Sequence, residues 1–207
     1  MLNFRPRWPL VIAAALTLLA TAAAAADERA EAFVTANANE ALRILSDDGV
    51  SMDDKKAAFR ALVEEVADVP RITRFVLGKF AREIDAQELA AFSEVFSDYA
   101  IGEYERRLGD YAGETLIVTG STDRRPGDSV VHTQVRGGRQ SEPLPVNWRV
   151  LTSDNGDLKV VDVEVYGVWL AINQRDEIVA IIENNRGRVS AATRALEGKI
   201  AELEATG

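Results

Sequence analysis

The sequence predicts an α+β fold in which helices cover one face of a curved antiparallel sheet of about four strands. Two observations carry that expectation. Apolar residues recur at helical spacing up to Leu108 and again from Ile178, whereas between Glu114 and Tyr166 the period changes to two. Short turn signatures separate the alternating runs, so consecutive strands join as hairpins rather than through crossover helices.

The chain opens with Arg5 and Arg7, an apolar run from Leu10 to Ala20 and a small-residue stretch from Ala22 to Ala26, the three parts of a secretory signal peptide. Residues 1–26 are expected to be removed, with cleavage after Ala26, leaving residues 27–207 as one domain without stable membrane insertion. An uncut anchor is the alternative, although the run is short for a span of roughly 20 residues. Losing Arg5 and Arg7 leaves 22 of the 24 basic residues against 33 acidic ones and moves the formal charge from −9 to −11. So acidic a domain lacks the cationic surface that nucleic acid or an anionic bilayer attracts, and a partner at a membrane is expected to be a protein. Cysteine is absent, so the fold rests on its own core rather than on disulfides.

The first helix carries Phe33, Val34, Ala38, Ala41, Leu42 and Leu45 on one side and ends near Asp47-Asp48-Gly49. Ser51 reads as the cap of a second, with Phe59, Leu62, Val63 and Val66 in its stripe. After Asp68 and Pro70 a third holds Ile72, Phe75, Val76, Phe80 and Ile84, with Gly78 inside it. Asp85-Ala86-Gln87-Glu88 has the form of a capping box and opens a long helix bearing Leu89, Phe92, Val95, Phe96 and Tyr99. That aromatic stripe has two readings, ordinary core or the wall of an apolar cavity.

Four alternating runs follow. Leu116 and Val118 share a face, as do Val131, Thr133 and Val135, then Leu144, Val146, Trp148 and Val150, and finally Val161, Val163 and Val165 against Asp162, Glu164 and Tyr166. Turns are expected at Arg125-Pro126-Gly127-Asp128, Arg136-Gly137-Gly138 and Ser153-Asp154-Asn155-Gly156. Ile178, Ile181 and Ile182 mark a returning helix, and Ser190 caps a last one with Leu196 and Ile200.

Catalytic chemistry finds little material. His132 is the single histidine and reads as a solvated strand position; no metal site and no cofactor are expected. Glycine-rich phosphate loops and a G-x-S-x-G elbow are missing from the sequence. Paired acids such as Asp53-Asp54 suit helix ends. Asp162 and Glu164 share one face of a strand and could serve as general bases, as in cone-shaped isomerases, or could simply face water while the valines face the core.

The order of segments resembles the MlaC family, also called toluene-tolerance or ABC-transporter auxiliary proteins. The resemblance rests on Phe75-Val76-Leu77-Gly78-Lys79-Phe80-Ala81-Arg82 followed by Asp85, Glu88 and Phe92, and on Tyr99, Tyr104, Leu108, Tyr111 and Gly113. Its most specific part is Trp148-Arg149-Val150, then Lys159 to Val168, then Gln174-Arg175-Asp176-Glu177; Leu158, Tyr166, Trp169 and Ile178 depart from the family pattern. The resemblance implies a periplasmic carrier, not an enzyme, with an apolar lipid pocket between helices and sheet. It would exchange phospholipid with an inner-membrane ABC transporter complex and an outer-membrane lipid-handling protein. A branch of the family accompanies hopanoid lipids, so a polycyclic lipid is the alternative ligand. The material for the pocket is the valine faces and the aromatic stripe: Val76, Phe80, Phe92, Phe96, Tyr99, Tyr104, Leu116, Val118, Val146, Trp148, Val161, Val163, Val165, Val168 and Leu170.

Overall fold

A computed structural model describes residues 27–138 and 141–206, and the expected leader, residues 1–26, lies outside the described residues. Helix α1 (Glu28–Ser46) starts where the Asp27 carboxylate accepts the Arg29 and Ala30 amides, with Glu28 and Glu31 against the positive end of the helix. Ser51 caps α2 (Met52–Val66) by accepting the Asp54 amide. Asp68 caps α3 (Val69–Leu77), which has Pro70 in its first turn, where a missing N–H costs nothing. The helical spacing predicts one helix through Gly78 to Ile84. The chain instead breaks at this glycine, because its φ of 58° cannot continue an α-helix, and it proceeds as a 3-10 helix over Gly78–Arg82. A Cβ there would also lie 3.3 Å from the Arg175 guanidinium, a tight contact that the flexible end of that side chain can relieve, so it is the backbone conformation that calls for glycine.

Asp85 accepts the Glu88 amide at 2.8 Å and opens α4 (Ala86–Glu105), which gives way to a 3-10 turn at Leu108–Asp110. The sheet then forms as an antiparallel meander in chain order: β1 (Thr115–Arg125), β2 (Asp128–Arg136), β3 (Leu144–Thr152), β4 (Leu158–Val165) and β5 (Val168–Trp169). The fifth strand exceeds the expected four. Two residues are too few to show an alternation, and Tyr166 does not extend the fourth run: Tyr166 and Gly167, at φ of 52° and 79°, make the tight turn into β5. Register shifts lie between Val118 and Gly120, between Asp123 and Arg125, and opposite Arg149 and Val150. Such bulges add twist and curve the sheet. Helices α5 (Leu170–Asn184) and α6 (Val189–Thr206) close the chain.

The apolar interior divides into two clusters. One is helical: Val76, Leu77, Phe80, Phe92, Phe96, Tyr99, Ile178, Ile182, Val189, Ala192 and Leu196 close around the stacked rings of Phe92 and Phe96, whose centroids are 5.9 Å apart. In the other, Ala30 and Val34 of α1 pack on Val131, Val150 and Val160 of the sheet, with Phe33, Val66, Val118, Trp148, Leu158 and Val163 around them. Helices α1 and α2 therefore cover one face of the sheet, while α3 and α5 reach it chiefly at β4, where the Asp68 amide donates to the Val160 carbonyl.

Since Phe92 is fully buried, Phe92→Ala should cost about 3–5 kcal/mol, read as a fall in Tm of roughly 2–4 °C per kcal/mol. Phe59→Ala, at a half-buried position of α2, should cost distinctly less in the same thermal melt.

Candidate functional site

Cross-strand register builds the inner face of the sheet row by row. Ser121, Val131, Trp148 and Val163 form one row; Val118, Thr133, Val146 and Val165 the next; Leu116, Val135 and Leu144 a third. The first two turns of α1 roof the first row. Beyond that roof the face stays apolar, and Leu116, Val118, Val135, Leu144 and Val165 are only half-buried. Helix α2 lies among α1, α4 and the start of β4, held by Arg60 pairing with Asp98 at 2.7 Å and Glu105 at 3.0 Å, yet none of its residues is fully buried. Phe59, Leu62, Val63 and Val66 thus form a half-buried apolar stripe, with Val66 packed against the sheet cluster. Ile44, Ile101, Leu108 and Val146 are buried but belong to neither cluster.

Polar atoms on this face satisfy one another. The Trp148 indole N–H donates to the Thr133 hydroxyl at 3.1 Å, and that hydroxyl donates to the Val146 carbonyl at 2.7 Å. A buried threonine and a half-buried tryptophan therefore add no unpaired donor, which is what an apolar ligand requires of a wall. Tyr104, at the end of α4, keeps 46% of its surface accessible. Its phenol is nonetheless pushed above its usual pKa, first by crowding from protein and then by Glu103 against Arg107.

The opposite face of the sheet is polar and connected. Thr122 meets His132 Nε2 at 3.0 Å, His132 Nδ1 meets the Asn147 carbonyl oxygen at 2.9 Å, and the Asn147 amide donates to Glu164 at 2.8 Å. His132 is thus half-buried and partnered across three strands rather than solvated. Asp162 also departs from the water-facing expectation. It is 8% exposed, and its Oδ1 accepts the amides of Val163 and Ala171, each at 2.8 Å, so it caps the first turn of α5. Burial raises its pKa, with the two amides and Arg149 acting against that rise. A carboxylate engaged by two backbone amides positions the chain. Among the described residues no group of His, Cys, Asp and Glu is arranged to hold a metal, and no helix is long and apolar enough to cross a membrane.

The sequence model of the MlaC protein family matches residues 35–198. The chain belongs to the MlaC family. Among solved structures, the fold is similar to that of a phospholipid-binding protein from Ralstonia solanacearum, solved in complex with a phospholipid. The TM-score is 0.75 at 23% identity, over 84% of this chain and 98% of that one. No curated protein matches the sequence.

Within this MlaC chain the fifteen residues singled out from the sequence do not gather in one place. Leu116, Val118, Val146, Trp148, Val163 and Val165 share the inner face of the sheet. Val76, Phe80, Phe92, Phe96 and Tyr99 belong to the helical cluster instead, at 0–7% exposure. Val161 is the extra residue of the β4 bulge: Val160 pairs with Val150 and Asp162 with Arg149, so Val160 takes the place in the sheet cluster that strict alternation assigns to Val161. Val168 pairs with Val165 but is 49% exposed, and Leu170 begins α5 half-buried. The α2 stripe was missed, although its spacing was visible, because periodicity names a face without naming what the face meets. Two open surface hollows, of about 340 Å³ between α4 and α6 and about 290 Å³ between α3 and α4, lie elsewhere. Of the fifteen residues only Tyr99 lines the first and none the second.

Asp162→Ala should destabilise the protein by about 1–3 kcal/mol, because two amides lose their acceptor. Asp162→Asn should lose less, and its standing relative to the parent should depend on pH. With a folded pKa raised above 3.8, the ionised parent carries a cost that vanishes as pH falls and the carboxyl takes up its proton. Urea titrations from pH 3 to 7 should accordingly show the Asn variant comparing better at pH 7 than at the acid end.

Proposed function

We propose that this protein is an exported, periplasmic carrier of membrane lipid, in the first place phospholipid, and that it binds rather than transforms its ligand. The observation that carries the reading is the half-buried apolar surface outside both clusters: Leu116, Val135, Leu144 and Val165 on the sheet face and Phe59, Leu62 and Val63 on α2. Family membership and the phospholipid bound to the Ralstonia solanacearum protein of the same fold support the same ligand class here.

Energetics explain why a carrier is needed. Two acyl chains of about 30 methylenes in all are worth on the order of 20–25 kcal/mol relative to water, at about 0.8 kcal/mol each. A lipid therefore does not cross an aqueous compartment unaided at a useful rate. Transfer from bilayer to protein is close to neutral, so direction must come from partners. An inner-membrane ABC transporter complex and an outer-membrane lipid-handling protein fill those roles in this reading. The acidic charge of the domain keeps it off anionic bilayers and leaves docking to protein surfaces.

Native mass spectrometry of the exported protein, with identification of what denaturation releases, tests the reading. A stoichiometric two-chain phospholipid is expected; a polycyclic lipid would change the ligand, and a protein recovered empty from a lipid-rich host would overturn the proposal. Val165→Glu places a carboxylate on the half-buried part of the inner face, outside both clusters. It should leave the protein folded by circular dichroism but without lipid, because the carboxylate is hydrated only in an empty slot.

A further inference from the structure

At the start of α1 three carboxylates converge on two serines. Ser121 Oγ accepts the Asp27 N–H at 2.8 Å and donates to Glu31 Oε1 at 2.6 Å. Ser129, 1% exposed, has its hydroxyl 2.8 Å from both Asp27 Oδ2 and Asp123 Oδ1. A hydroxyl carries a single hydrogen, so it serves only one of those two carboxylates, and the cluster is a donor short. The nearby cations are engaged elsewhere: Arg29 donates to the Gly156 carbonyl, while Arg125 and Arg149 pair with Asp128. The Asp27 carboxyl is held below its usual pKa. Partial burial raises it, but the Ser129 hydroxyl, the Ala30 and Arg29 amides and the Arg29 charge together outweigh burial.

The stretch Ala20–Ala26 offers four cuts with alanine one and three residues before the bond, after Ala22, Ala24, Ala25 or Ala26. Sequence alone does not separate them. We infer that leader removal falls between Ala26 and Asp27, and that the new α-ammonium of Asp27, held at the Ser121 hydroxyl, is balanced by the Asp27, Glu31 and Asp123 carboxylates gathered on the two serines, which ties maturation to the docking of α1 on the sheet. Hydrolysis of the Ala26–Asp27 amide by water leaves Ala26 with the carboxylate and Asp27 with the amine, which is protonated at neutral pH. A neutral amide with one hydrogen thereby becomes a cation with three, at the atom already bonded to Ser121. The positive end of α1 opposes that charge, as does Arg29; Asp27, Glu31 and Asp123 favour it from α1 and β1. A cut after Ala22, Ala24 or Ala25 would leave a neutral amide at the atom bonded to Ser121.

Two proteins decide the matter, the chain beginning at Asp27 and the chain beginning at Ala26, both stripped of ligand and melted from pH 6 to 10. The Asp27 form should melt higher by about 2–4 °C at pH 6. An ammonium bound by carboxylates has a raised pKa, so its stabilisation is complete below the ordinary amino pKa of about 7.7–8.0 and fades only as pH rises beyond that range. Asp123→Asn should shrink the gap in the Asp27 form without altering the melt of the Ala26 form by as much. The intact mass of protein exported with its own leader should begin at Asp27. Equal melts at pH 6, a gap independent of pH, or an exported chain beginning at Ala23, Ala25 or Ala26 would each overturn the inference. None of these readouts involves lipid, so the proposed carrier function stands or falls separately.

Discussion

The stacked pair of Phe92 and Phe96, with the eleven-residue cluster closed around it, stabilises the chain without drawing on the inner face of the sheet. A protein that binds by burying apolar surface needs such an independent source of stability. If the binding surface were also the main core, opening it would unfold the molecule. Here the helices α3, α4, α5 and α6 close on one another, with α3 and α5 reaching the sheet at β4, while the first turns of α1 and the end of α2 pack on the valine cluster of the sheet. Outside both clusters, Leu116, Val135, Leu144 and Val165 on the sheet and Phe59, Leu62 and Val63 on α2 stay half-buried.

The two halves are joined at β4, and that junction explains the placement of the acids that first suggested catalysis. Beside the bulge at Val161, Asp162 keeps its regular pairing with Arg149, and its carboxylate takes up the Val163 and Ala171 amides at the start of α5. A helix start needs acceptors for its free amides, and here the acceptor comes from the neighbouring strand rather than from Trp169 at the cap position, whose side chain makes no such bond. Glu164, one step further along, is held by Asn147 and so belongs to the polar ladder that includes His132. Both acids serve the geometry of the sheet edge.

Much of this was legible in the sequence because the signals are local. The caps at Ser51 and Asp85, the start of α3 after Asp68 and the turn at Arg125-Pro126-Gly127-Asp128 are fixed by residues within four positions of one another, and they lie where the spacing predicts. The inner faces of β2 and β3, and of β1 as far as Val118, follow from alternation alone. What escaped was non-local. An adjacent Val160-Val161 pair does not announce that one of them is a bulge, and the burial of Asp162 depends on a helix that starts eight residues later. The aromatic stripe of α4 was read correctly as one face, but whether that face meets other helices or a ligand is decided by α5 and α6, which pack on it from the other end of the chain.

The central claim is that ligand lies against the sheet and α2 and not within the helical cluster. Crosslinking from a phospholipid with a photoactivatable acyl chain, mapped by peptide mass spectrometry, tests it most directly. Adducts on Leu62, Val63, Val146 and Val165 are predicted. Adducts concentrated on Phe92, Phe96 and Ile182 would contradict the account.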